Sequence, residues 1–172
     1  FPYTPLFRST PLRVGGVGGD NTSTNAGTSG SLGSAAVTND GTLTFSRSDT
    51  HTVEVTISGS GDVRIGSTGI SGSDTQQVTF STTHTYSGIT EVNAGTLYVS
   101  GELANTSEVN VAATIGGDGS INGDTHILTD GTIAPGTSLG TLTITNSHTL
   151  DTGGILSFDI SGPAHPDRLP IL

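Results

Sequence analysis

The side chains best equipped for chemistry lie close together in the sequence: Asp118, Asn122, Asp124, His126 and Asp130. Runs this rich in oxygen hold Ca²⁺ when their spacing turns six or more oxygens onto one ion. Asp118-x-Ser120-x-Asn122-Gly123 reproduces the first half of a calcium-binding helix–loop–helix, but position twelve is Thr129, where that loop supplies a bidentate Glu. Gly116-Gly117-Asp118-Gly119 opens like the Ca²⁺-binding nonapeptide, and Ile121 then stands where an Asp is needed. Both patterns break at a ligand, so these residues read as turn formers. Glu91, Ser120 and His126 supply the residue types of a hydrolytic triad, yet no Gly-x-Ser-x-Gly elbow surrounds Ser120. His51, His84, His126, His148 and His165 lack the i, i+2 or i, i+4 spacing of a zinc site and are expected at the surface or at corners. Tyr86 and Tyr98, expected on outward-facing ladders, could stack on sugar rings. The expected set of catalytic residues, cofactor-binding residues and metal ligands is therefore empty.

The elements that would position these groups are set by a ladder. Leu97, Leu103, Val109, Ile115, Ile121, Ile127, Ile133 and Leu139 stand six positions apart without a break. Six is even, so along extended chain all eight point to one side. Six residues also make about one short strand plus one corner, after which the next aliphatic points inward again. This is the pattern of a parallel β-helix and not of a helix, whose apolar spacing is near 3.6. Upstream, Thr42-Leu43-Thr44-Phe45 and Thr52-Val53-Glu54-Val55-Thr56-Ile57 alternate as half-buried strands. Gly41, Gly95, Gly131 and Gly140 each precede a Thr and an aliphatic, and are expected to supply positive φ at corners.

Composition agrees. Thr (30), Gly (26) and Ser (21) make up almost half of the 172 residues, a mixture suited to strands and tight corners. Lys, Met, Trp and Cys are absent, which leaves redox compartment open and excludes a disulfide framework. A net charge of −10 repels phosphate backbones and anionic lipid, so no nucleic-acid partner is expected. No apolar stretch reaches the 18 residues of a membrane helix. Six of seven prolines lie in the first 11 or last 10 residues. We therefore divide the chain into a flexible or non-native segment over 1–31, parallel β-helix repeats over 32–161 and a truncated tail over 162–172. Phe1 through Arg13 reads as adapter sequence, and the whole as a fragment of a longer chain.

The run from Thr85 to Gly101, centred on Asn93-Ala94-Gly95-Thr96-Leu97, resembles the autotransporter-associated β-strand repeat. The pattern continues through Ile115-Gly116-Gly117-Asp118-Gly119 and Ile133-Ala134-Pro135-Gly136-Thr137, with weaker units near Asn39-Asp40-Gly41 and Ile57-Ser58-Gly59. It covers roughly residues 38 to 160 and departs between Arg64 and Gln77. The resemblance implies a right-handed, single-stranded parallel β-helix in the exported passenger of a bacterial surface protein, with no catalytic motif to transfer. Strict hexads are also the unit of left-handed β-helices, many of them acyltransferases, and both hands stay open here. β-helical enzymes that cleave polysaccharide commonly pair clustered acids with Lys or Arg, and Arg47 and Arg64 are the only cations in the repeat region.

The leading expectation is a non-catalytic, monomeric stalk segment at the cell surface, attached to the outer membrane through a region outside this sequence. The alternative is an adhesin-type module that binds carbohydrate or matrix through one face.

Overall fold

A computed structural model describes residues 6–7, 11–15, 30–66, 76–136 and 140–158. Every helix-or-strand element among them is a strand. The chain winds into a β-solenoid of about six turns, with strands stacked in parallel on three faces. The first face is one seven-stranded sheet: Leu12–Val14, Thr42–Phe45, Asp62–Ile65, Thr90–Val92, Glu108–Val111, Asp124–Ile127 and His148–Leu150. The second has six strands: Thr50–Val53, Gln77–Phe80, Thr96–Val99, Thr114–Gly117, Thr132–Pro135 and Ile155–Leu156. The third is split: Leu6–Phe7, Val37–Asn39 and Ile57–Ser58 form one sheet, and Thr83–His84, Glu102–Leu103, Ser120–Ile121 and Thr143–Ile144 another. The expected all-β parallel solenoid is the fold.

The hexad is one face of this solenoid, and three hexads make one coil. Leu97 pairs with Ile115 and Ile115 with Ile133, each 18 residues on, while Leu103 pairs with Ile121 on the next face. Seven of the eight ladder residues are at most 3 % exposed; Leu139 lies outside the described residues. On the first face the corners deviate and then compensate. Val109 faces Thr125 and Val111 faces Ile127, so Val109 and Ile127 both point inward without stacking on each other. Two residues separate Ile121 from Asp124 where four separate Leu103 from Glu108; four then separate Ile127 from Thr132 where two separate Val111 from Thr114. The extra pair forms a turn closed by the Gly131 N–H on the Leu128 carbonyl at 2.9 Å, with Asp130 in the left-handed region at φ 66°.

Several local expectations change. The alternating run over 52–57 is a corner: Val53 ends a second-face strand, Ile57 begins a third-face strand, and Val55 packs half-buried between them. Of Gly41, Gly95, Gly131 and Gly140, Gly95 alone has positive φ, at 73°. Gly131 is required for contact instead, because a Cβ there would stand 2.1 Å from the Val111 carbonyl oxygen. Within the 1–31 stretch, Leu6–Phe7 and Leu12–Val14 extend two sheets, and Val14 is buried beside Phe45. The irregular stretch after Arg64 displaces neither flanking strand: Asp62–Ile65 and Gln77–Phe80 each pair in register on both sides. Residues 67–75 and the 162–172 tail lie outside the described residues.

The inward stack dictates the energetics. Ile115→Ala deletes a fully buried side chain between Leu97 and Ile133 and should cost about 2–5 kcal/mol in urea unfolding. Thr114→Ala, on the outward side of the same strand, should stay within about 0.5 kcal/mol. Gly117→Ala meets φ 117° and the Val99 carbonyl at 2.1 Å, so it should exceed the roughly 1–2 kcal/mol of left-handed strain alone. Equal midpoints for the two side-chain truncations would contradict the stacked-core account.

Candidate functional site

The polar cluster that is dense in sequence is dispersed in space, because six residues carry the chain to another face. Asp118 is exposed at the corner after the second face, and Asp130 lies in the turn described above. Asn122 sits at a third-face corner, donating from Nδ2 to Glu102 Oε1 at 3.0 Å and accepting from the Thr145 hydroxyl at 3.0 Å. Asp124 points outward on the first face, in register with Glu108. Among the described residues no three His, Cys, Asp or Glu side chains converge on a metal position.

The three triad candidates do not meet either. Ser120 is on the third face, while Glu91 and His126 share a first-face row of register neighbours: Thr44, Arg64, Glu91, Asn110, His126 and Thr149. Asn110 intervenes, so Glu91 and His126 are two coil steps apart, about 10 Å. Glu91 is held by Arg64 Nε. His126 Nδ1 shares a hydrogen bond with the Thr149 hydroxyl at 2.7 Å, and its Nε2 lies 3.9 Å from Glu108 Oε1.

Two expected surface residues are core residues. Tyr86 is 1 % exposed, its hydroxyl bonded to Thr90 Oγ1 at 2.7 Å, and burial raises its pKa. It occupies the corner between the second-sheet strand Thr83–His84 of the third face and Thr90–Val92, where alternation does not govern which way a side chain points. His84 is fully buried against the Phe80 ring, 4.4 Å between centroids, and burial lowers its pKa to about 4. A sequence signal for it exists: Val78, His84 and Thr90 also stand six residues apart, one residue out of phase with the ladder that starts at Leu97, and all three point inward. His51 is half-buried on the inward row beside Phe45, its pKa lowered first by burial and then by Arg47. His148 is exposed, and His165 lies outside the described residues.

Arg47, one of the two arginines of the repeat region, is the buried polar hub of the corner after Thr42–Phe45. Its side chain is 7 % exposed, with Nε 2.8 Å from Asp49 Oδ1 and one NH2 3.0 Å from Oδ2; that bond is the main cause of the lowered Asp49 pKa. Its other guanidinium nitrogen donates to the Gly30 carbonyl, and its backbone N–H donates to Gln76 Oε1. The hub ties three chain segments together.

Two surfaces remain as binding candidates. The outward positions of the second face, Thr50, Thr52, Gln77, Thr79, Thr96, Tyr98, Thr114, Gly116, Thr132 and Ala134, include no charged residue. Tyr98 is half-buried there, leaning over Gly116, where an added Cβ would come within 3.2 Å of the ring. At the carboxy-terminal end of the rod, a hollow of about 180 Å³ opens among Ile127, Ile133, Ile144, Leu150 and Leu156. Of its lining residues, Leu150 and Leu156 are 51 % and 43 % exposed. The first surface offers hydroxyls and one ring; the second is aliphatic.

Comparisons with protein-family models, with curated proteins and with solved structures find no match to this chain.

The two arginines should behave oppositely. Arg64→Ala removes a half-exposed cross-strand ion pair and should cost less than about 1 kcal/mol. Arg47→Ala removes a buried guanidinium together with its bonds to the partly exposed Asp49 and to the Gly30 carbonyl, and should cost more, about 1–3 kcal/mol. Denaturant midpoints of the two variants, measured side by side, check the ranking.

Proposed function

We propose that this chain is a structural segment of a bacterial exported surface protein, a passenger stalk that spaces a distal domain and supports folding during export. The observation that carries the reading is the unbroken seven-stranded first face, in which each coil is templated in register by the one before it. Six inter-strand steps of about 4.8 Å make a rod near 29 Å long whose stiffness comes from backbone ladders on three sides. A coil-by-coil core suits a chain that emerges progressively, because each new coil finds its full set of backbone partners already in place. The resemblance of the Asn93–Leu97 unit to autotransporter-associated repeats supports the same reading, as does an acidic surface without Lys or Cys.

A second reading, adhesion to a neutral carbohydrate, is favoured by the uncharged second face and its Tyr98. Tyr86 takes no part in it, since its ring is inside the core.

The stalk reading is tested by placing the chain between a reporter domain and a β-barrel translocator. The intact chain should deliver the reporter to the cell surface as a protease-resistant, β-rich segment. A shuffled sequence of equal composition that exports the reporter equally well, or a displayed segment cleaved throughout, would overturn it. For adhesion, glycan binding should fall at least tenfold in Tyr98→Ala while circular dichroism is unchanged; a glycan array with no signal for the parent chain rejects that reading.

A further inference from the structure

The first face is continuous over seven strands, but the third breaks between Ile57–Ser58 and Thr83–His84. The break has a specific cause. In an evenly spaced parallel ladder, the Thr85 N–H would donate to the Ile57 carbonyl and the Ile57 N–H to the Thr83 carbonyl. The first bond is present at 2.8 Å. The second is replaced by a bond from the Ile57 N–H to His84 Nδ1 at 3.2 Å. An imidazole thus stands in for a backbone carbonyl. Accepting at Nδ1 fixes the neutral tautomer with its proton on Nε2, and Nε2 is buried with no hydrogen-bond partner among the described residues.

We propose that His84 makes this junction an acid-sensitive joint: protonation of its ring releases the Ile57 N–H and opens the third face while the other two faces stay paired. A protonated imidazole has two donors and no acceptor. The Ile57 bond would be lost, two N–H groups would face each other, and a charge would lie against Phe80. Among the described residues, the surrounding groups offer no compensation. On its own strand the neighbour is Thr83; on the facing strand, Ile57 and Ser58 carry no charge. On the strand beyond, Leu103 stacks on His84 while Glu102 pairs with Thr83 and takes the Asn122 amide on the outward side. From the second face, Phe80 lies against the ring and His51 sits beside Phe45. Tyr86 is bonded to Thr90.

The sign follows from linkage. Burial alone holds His84 near 4 in the closed joint, against 6.5 for a solvated imidazole, so the open state binds the proton more tightly. Stability from the neutral ring is fully present above about pH 6.5 and is lost as pH falls from there through about 4. The opening equilibrium should rise by up to tenfold per pH unit across that window.

Residue-resolved hydrogen exchange on the wild-type chain, corrected for intrinsic rates, tests this between pH 7.5 and 5.5. The amides of Ile57 and Thr85 should lose protection about tenfold as pH falls, while those of Val63, Val92 and Leu97 hold theirs. Unchanged protection at Ile57 and Thr85, or equal loss at all five, would overturn the joint. In a second arm, His84→Leu should abolish the local pH dependence and His51→Gln should keep it; the reverse pattern would move the effect to His51 and refute the assignment. If His84→Leu does not fold, the wild-type exchange profile alone decides.

Discussion

Everything in this molecule depends on one requirement: each coil must place an apolar side chain directly on the apolar side chain of the coil before it. Neighbouring strands are separated by about 4.8 Å, a distance at which stacked aliphatics touch and water is excluded. Leu97, Ile115 and Ile133 meet it on the second face, and Leu103, Ile121 and Ile144 on the third. Backbone hydrogen bonds hold the spacing but accept any register; the stacks fix which side of each strand faces inward. Corners are then free to vary so long as their deviations cancel, as the short corner at Asn122–Gly123 and the long one at Leu128–Gly131 do. Small residues follow from the same spacing, since at Gly117, Gly119 and Gly131 the neighbouring coil's carbonyl already occupies the position of a Cβ.

This geometry also decides where chemistry can gather. Residues near in sequence are sent to different faces, whereas residues one coil apart become neighbours. Asp118, Asn122, Asp124 and His126 look like a site in the sequence and are spread around the coil. Arg64 and Glu91, separated by 27 positions, are in contact. A ligand-binding constellation on such a scaffold has to be sought at intervals of one coil, along rows such as Thr50, Gln77, Thr96, Thr114 and Thr132.

The parts legible in the sequence were those with fixed parity. Within a strand, alternation decides inside from outside, so the hexads from Leu97 to Ile133 disclosed the length of one face and its core residues, while the number of faces in a coil came from the strand pairing. Parity is reset at corners, and there the reading failed: Tyr86 turns inward, Val55 bridges two faces, and Arg47 is drawn into a buried network that no periodicity marks. His84 was legible in position but not in kind, because its six-residue step from Val78 is regular while an imidazole is unexpected in an aliphatic row. The link between Arg47 and Gln76 depends on where residues 29 positions apart are brought together, which local pattern does not encode.

A stack of near-identical aliphatics creates its own difficulty. If the chain slipped by one hexad, each face would offer its aliphatics to the next, and apolar burial would hardly change. Backbone ladders would re-form equally well. Buried polar groups that bond from one coil to the next remove this degeneracy, because those bonds form in one register only. Asn39 donates to the Asp62 carbonyl at 2.9 Å and accepts from the Gly41 N–H at 3.2 Å. Gln76 bridges the Phe45 carbonyl and the Arg47 N–H. Tyr86, Thr90 and Thr106 bond in series, and Thr106 also reaches the Gly88 carbonyl. A slipped coil would leave these donors and acceptors buried and unpaired, at about 1–3 kcal/mol each. They gather in coils outside the cleanest hexads, so the less regular part of the rod carries the information that sets the alignment of the regular part.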